Sequence, residues 1–229
     1  MKYKAIIWDC DGVLIDSEVL ACGAAADLLC ELGYTITLNQ YLERFMGKND
    51  KQMFAEISQE TGLQLAKIFP HETLLNRQKE LFATSLKAIP AITETLKAID
   101  LPMAVASGSS LARITQCLTV TQLLSHFNGH IYSVEHVKNG KPAPDVFLHA
   151  AQKLGVAPKD CLVIEDSIHG VAAAKGAGMD VFAFTGGGHI TEKLRQNLVD
   201  AKPNKIFADM RALPLLLASA PEQKTGNAS

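Results

Sequence analysis

Two carboxylates, Asp9 and Asp11, stand one residue apart at the end of a short apolar run, Tyr3 to Trp8, and Gly12 follows at once. The run reads as a strand, and residues two apart on a strand share a face. Both acids are therefore expected to point into one space beyond the strand end, where Gly12 allows a sharp backbone turn. Like charges held close need a cation, a shared proton or a reaction that uses both. A solvated turn or a helix cap is the plain alternative for two isolated acids. A second pair, Glu165-Asp166, follows another apolar run, Cys161 to Ile164, and turns the reading towards a cluster of four carboxylates. Mg²⁺ suits such a cluster, because it prefers oxygen ligands and binds through one or two carboxylates, waters and substrate phosphate.

Ser107-Gly108-Ser109-Ser110 opens a helix after a further apolar run. Free N–H groups and the helix dipole favour an anion there, while an ordinary serine N-cap is the alternative. Lys141 lies between Gly140 and Pro142. It is either a surface charge or an amine that holds a phosphate against the carboxylates. With Ser107, Gly108, Ser109 and Lys141 as phosphate-binding candidates, the set reads as phosphoryl transfer. Asp9 would attack and form an aspartyl phosphate. Asp11 would protonate the leaving oxygen and later activate water.

The combination resembles the haloacid dehalogenase superfamily. Asp9-Cys10-Asp11-Gly12-Val13 matches its first motif, Ser107 the second, Lys141 in Gly140-Lys141-Pro142-Ala143-Pro144-Asp145 the third, and Glu165-Asp166-Ser167 the fourth. The likeness implies Asp9 as nucleophile and Asp11 as acid/base. It implies Mg²⁺ on the Asp9 side chain, the Asp11 carbonyl and Asp166, with Glu165 nearby or through water. A helical cap inserted after the first motif is the arrangement of the β-phosphoglucomutase-like branch, which also holds many sugar-phosphate phosphatases. Mutases of that branch carry a His shortly after the hinge and an Arg after the cap glycine. Here the stretches are Ser17-Glu18-Val19-Leu20-Ala21 and Lys48-Asn49-Asp50-Lys51, with Asp50 at the Arg position. Hydrolysis is therefore expected rather than mutase chemistry, and the cap layout is similar to phosphatases of sugars or sugar acids, including 6-phosphogluconate. Arg44, Lys48 and Lys51 are candidates for holding an anionic substrate, or plain solvated charges. A phosphate-binding or phospho-accepting module is the reading outside catalysis.

The elements needed to place these residues are legible as patterns. Apolar residues at three- and four-residue steps from Leu20 to Leu32, then around Tyr41–Phe45, Met53–Ile57 and Leu74–Phe82, predict a run of helices without strands. Short apolar strands then alternate with helices, at 102–106, 131–133, 161–164, 181–184 and 205–208, with helices over 92–99, after Ser110, and over 146–154, 171–177 and 213–217. Alternation of this kind implies a Rossmann-like parallel sheet in an α/β core, residues 1–15 and 86–229, with an inserted α-helical cap domain, residues 16–85. The polar residues fall at strand ends, where ligands of such sheets bind. His169 reads as a helix-start residue, Gly186-Gly187-Gly188-His189 as a flexible rim loop, and the tail from Ala220 as frayed.

The chain has 229 residues with 48% hydrophobic and 20% charged content, which suits a soluble globular protein with a proper core. A formal net charge of −2 gives no reason to expect nucleic acid as a partner. No apolar run spans a membrane, and no signal-peptide pattern is visible at the N-terminus. Five scattered cysteines with no CxxC fit buried packing in a reducing cytoplasm. The expected partner is a small phosphorylated metabolite, and the expected state is a monomer.

Overall fold

The computed structural model describes residues 2–219; the tail from Ala220 lies outside them. Six strands form one sheet in the order β3-β2-β1-β4-β5-β6. They are β1 Ala5–Trp8, β2 Met103–Ser107, β3 Ile131–Ser133, β4 Cys161–Glu165, β5 Asp180–Phe184 and β6 Lys205–Phe207. Every neighbouring pair is parallel. The first strand is central, with Ile7 opposite Ala104 on one side and Val163 on the other. The chain thus reverses its winding about β1, and a crevice opens there beyond the carboxyl ends.

Side-chain alternation divides the sheet into two unlike faces. Ile6, Trp8, Val105, Leu162, Ile164, Phe182 and Phe184 pack on one face. Ala5, Ile7, Ala104, Ala106, Val163, Val181 and Ala183 pack on the other. The second face carries the smaller residues and meets Ala150, Ala151, Ala173 and Ala174 of two helices, α8 Asp145–Leu154 and α9 Ile168–Gly176. Small side chains on both sides let these helices lie close to the strands. On the first face, large residues such as Trp8 and Phe182 fill the wider gap, and burying each contributes about 1.5–3 kcal/mol.

Between β1 and β2 come α1 Ser17–Glu31, α2 Leu38–Phe45, α3 Asp50–Thr61, α4 Leu65–Ile68, α5 His71–Thr84 and α6 Ile92–Ala98. Thr37 and Asn49 form capping boxes with Gln40 and Gln52, which start α2 and α3 cleanly. Gly62 ends α3 in the left-handed conformation that favours glycine. The first four of these helices enclose an apolar cluster of their own, built on Leu29, Phe45, Met53, Ile57 and Leu65, whereas Ile92 and Leu96 of α6 join the core on the first face of the sheet. Of the stripe expected on α5, Phe82 is buried, Leu74 packs against the cluster that holds Leu29 and Leu81 is half-buried, but Leu75 is 64% exposed. After the sheet resumes, α7 Leu111–Val120 precedes β3, α10 Glu192–Asp200 precedes β6, and α11 Leu213–Ala218 closes the described residues. The sequence pattern does not announce α4 or α10. The second of these buries only Leu198, so it has no apolar stripe to read.

Among the described residues no helix is long and apolar enough to cross a membrane.

Candidate active site

Asp9 follows β1, Ser107 ends β2, and Glu165 ends β4, so parallel pairing alone brings them to one edge. A cavity of about 490 Å³ opens there, and its walls include Asp9, Asp11, Ser107, Lys141, Glu165 and Asp166. Lys141 comes from the loop between β3 and α8. Its Nζ donates to Asp9 Oδ1 at 2.6 Å and to Glu165 Oε1 at 2.7 Å, and it lies 4.7 Å above the Phe147 ring. The lysine is therefore a buried bridge between two acids, not a surface charge.

Both oxygens of Glu165 have partners. Its Oε2 accepts from the Asp166 and Ser167 amides, each at 2.9 Å, and from Ser167 Oγ at 3.0 Å. A Cβ on Gly170 would fall 1.7 Å from Glu165 Oε1, so the first turn of α9 has room for this carboxylate only because residue 170 is glycine. Asp166 is different: His189 Nε2 stands 3.1 Å from its Oδ2. A Cβ on Gly12 would fall 1.8 Å from that same Oδ2.

Asp9, Glu165 and Asp166 each place a carboxylate oxygen within 4.8 Å of the others, and all three are buried. Burial raises Asp9 well above the ordinary carboxylate range; Lys141 opposes this, while Glu165 and Asp166 add to it. Burial likewise raises Asp166, against the pull of His189. For Lys141, burial works against the charge, but Asp9 and Glu165 outweigh it and raise the amine. One ammonium thus faces three crowded carboxylates. An oxygen-seeking divalent cation fits this donor set, and Asp9 and Asp166 are the acids with oxygens left for it.

Asp9 and Asp11 both line the cavity, as expected, but they have different partners. The strand ends at Trp8, and Asp11 sits in the following turn, in a bridge with Ile15. Its Oδ1 accepts from Ser17 Oγ at 2.6 Å and from Arg113 at 2.9 Å, and its Oδ2 accepts from Ser109 Oγ at 2.7 Å. Asp11 lines the cavity but stands outside the three-acid cluster. The four-acid cluster is therefore three acids plus one carboxylate with its own arginine. Cys10, between the two aspartates, turns into the core as alternation requires.

The start of α7 is also answered internally. Leu111 N–H donates to Glu135 at 2.9 Å, Arg113 N–H to Ser110 Oγ at 3.3 Å, and Ser109 N–H to Ser107 Oγ at 3.0 Å. Three amides at this turn therefore have acceptors within the protein, and Ser107, Gly108 and Ser109 all line the cavity.

The family model for haloacid dehalogenase-like hydrolases matches residues 6–184. This chain belongs to that family. It is 30% identical over 188 residues to 6-phosphogluconate phosphatase of Escherichia coli (strain K12), covering 82% of this chain and 85% of that protein. It is 30% identical over 187 residues to fructose-1-phosphate phosphatase YqaB of the same organism, covering 78% and 95%. A solved HAD family hydrolase of Deinococcus radiodurans R1, with bound phosphate and sodium, superposes with a TM-score of 0.84 at 29% identity over 95% of this chain and 96% of that one.

In this haloacid dehalogenase-like hydrolase, the cations expected in the helical segment separate. Lys48 lines the cavity but pairs with Glu56. Arg44 is not among the lining residues; its guanidinium binds Glu56, Glu60 and the Tyr34 hydroxyl. Lys51 and Asp50 line a different cleft beside Phe54, and Asp50 lies 3.4 Å from His71. Asp50 is therefore not part of the wall of the cavity that holds Asp9.

Sequence reasoning gave no site role to several residues found here. Arg113 and His189 hold Asp11 and Asp166. Glu18, expected only as a residue where mutases differ, lines the cavity, and burial pushes its carboxyl up to about 7, with Asp11 and Asp166 adding. Lys193 and Asn197 reach the cavity from α10, and Lys193 Nζ donates to the Glu43 carbonyl of α2 at 3.3 Å. His169 lines the wall as well as starting α9.

Proposed function

We propose that this hydrolase is a cytoplasmic Mg²⁺-dependent phosphatase of small phosphorylated sugars or sugar acids. The observation that carries this reading is the buried Asp9–Lys141–Glu165 bridge with Asp166 beside it, at the bottom of a cavity wide enough for a sugar phosphate. Phosphoric monoester hydrolysis is also what the names of the similar bacterial proteins describe, with phosphogluconate and fructose 1-phosphate as their substrates.

Asp9 and Asp166 would hold the ion, with the Asp11 carbonyl as a further oxygen. When bound, Mg²⁺ supplies positive charge that lets an anionic nucleophile approach an anionic phosphate. A carboxylate oxygen of Asp9 attacks phosphorus, and the bond from phosphorus to the ester oxygen breaks. Asp11 gives its proton to the departing oxygen, then removes one from the water that cleaves the aspartyl phosphate. Asp9 and inorganic phosphate are thereby released. Lys141 and the Ser107 hydroxyl hold the phosphoryl oxygens, with Gly108 and Ser109 beside them. To act, the Asp11 side chain turns from Ser17, Ser109 and Arg113 towards the nucleophile as substrate enters.

In this reading residues 16–85 are a cap over a core of residues 1–15 and 86–229, and the chain works as a monomer. Substrate contact from the cap falls to Lys48, with Arg44 bracing the helices behind it.

The test is phosphate release from a panel of phosphorylated sugars, sugar acids, glycolate and nucleotides, with Mg²⁺ and with a chelator. Mg²⁺-dependent release from sugar or sugar-acid phosphates supports the proposal. Interconversion of sugar phosphates without release, or a lasting phospho-aspartate without turnover, would replace it with a mutase or a phospho-accepting module.

A further inference from the structure

In the loop Gly186-Gly187-Gly188-His189, Gly187 and His189 are buried, and a side chain added at any of the three glycines would strike a neighbour. A Cβ at Gly186 would meet the Ala208 carbonyl at 2.1 Å, one at Gly187 the His189 ring at 2.8 Å, and one at Gly188 the Val19 side chain at 2.8 Å. None of these positions accepts a side chain without something shifting. The Gly188 amide donates to Asp16 Oδ1 at 3.2 Å, which ties the loop to the start of α1. The glycines and this bond set where the loop places its last residue.

What it carries in is His189. The ring is 2% exposed and lies between Gly12 and Gly187, whose Cβ atoms would come within 2.7 and 2.8 Å of it. Its Nε2 stands 3.1 Å from Asp166 Oδ2, and its Nδ1 is buried with no partner among the described residues. All the polar contact of this buried ring thus goes to one oxygen of one carboxylate. Asp166 belongs to the three-acid cluster, and His189 engages its Oδ2 while its Oδ1 has no hydrogen-bond partner among the described residues.

We propose that His189 is a positioning residue for the metal site: it fixes the rotation of Asp166 and so sets the affinity for a divalent cation. The inference rests on the phosphatase reading above, in which Asp166 holds Mg²⁺. Groups that orient a metal-binding side chain from behind change metal affinity by about 10–100-fold when lost. The same account gives Gly12 and Gly187 their reason, since a methyl group at either would displace the ring or the carboxylate.

The experiment measures Mg²⁺ and Mn²⁺ binding to the full chain by calorimetry, beside phosphate release, for wild type, His189→Ala, His189→Gln and Gly187→Ala. Circular dichroism confirms that each variant is folded. His189→Ala is expected to weaken cation binding about 10–100-fold, with kcat largely regained at saturating Mg²⁺. His189→Gln, whose amide can place an N–H near the former Nε2, is expected to recover most of the affinity. Gly187→Ala should weaken binding without altering any charged group. Folded His189→Ala protein that binds Mg²⁺ within twofold of wild type overturns the role of His189 and leaves the phosphatase reading standing. Glutamine no better than alanine also overturns it. Wild type that binds no divalent cation removes the ground of both.

Discussion

Asp11 is paired with Arg113, at 2.9 Å, while Asp9, two residues before it, is paired with Lys141 at 2.6 Å. Arg113 in turn lies over the Phe82 ring of α5 at 4.8 Å, while Ser17, the first residue of α1, holds the same Asp11 oxygen. The proposed acid/base is therefore gripped by groups from the core and by both ends of the helical segment that follows it. Replacing Asp11 by alanine removes the proton donor while leaving the Asp9–Lys141 bridge intact. Activity should fall most for alkyl phosphates, which need protonation of the departing oxygen, and least for aryl phosphates, which do not. Paired kcat/KM values for one alkyl and one aryl ester check this.

Lys141 supplies one buried positive charge to two buried carboxylates. Lys141→Met leaves Asp9 and Glu165 uncompensated and should cost about 3–5 kcal/mol of stability. Phosphate release should fall by about 10²–10³-fold. Adding Glu165→Gln removes one of the stranded charges, so the double variant should regain part of the stability but none of the activity. Urea unfolding of the single and double variants measures the coupling.

The two glycines of α9 give a sharper contrast. At Gly170 a Cβ would overlap the Glu165 carboxylate at 1.7 Å, whereas at Gly176 the nearest atom is Pro144 Cβ at 3.7 Å. Gly170→Ala should push Glu165 off Lys141 and lose both activity and stability. Gly176→Ala should be neutral or should stabilise by up to about 1 kcal/mol, as alanine favours the helix. Thermal melting with phosphate release reads both.

Glu18 predicts a pH dependence. Its folded value of about 7 lies above its ordinary 4.5, so between these limits the folded state binds the proton more tightly. Stability must then fall as pH rises from about 4.5 to about 7, and stay lowered above. Glu18→Gln removes this contribution. With a chelator present, the variant should match wild type near pH 4.5 and exceed it above pH 7 by of order 2 kcal/mol. Denaturant titrations at the two ends of the range measure the difference.

The parts of this molecule that sequence makes legible are those written locally. Each core strand is an apolar run of four or five residues closed by a polar group, so β1, β2, β4 and β5 and the residues at their ends can be read directly. Lys141 could be read as surface charge or site residue, and only its burial between two acids decides. Asp11 reaches the cavity as its spacing from Asp9 suggests, but its bond to Arg113, which keeps it apart from the three-acid cluster, has no local signal. Arg113 meets Asp11 across 102 positions, and His189 meets Asp166 through a glycine loop whose fit depends on neighbours far along the chain. No local pattern records such pairings. The cavity wall from α10 stayed hidden because its nine residues bury a single leucine.

The account stands on Asp9 taking the phosphoryl group. Rapid quenching of wild type during turnover of a sugar phosphate, followed by peptide mass analysis, tests this directly. The predicted result is one phosphoryl group on the peptide containing Asp9, absent from Asp9→Asn, which also releases no phosphate. Turnover with no phosphoryl group on that peptide, or Asp9→Asn releasing phosphate at a rate near wild type, would contradict it.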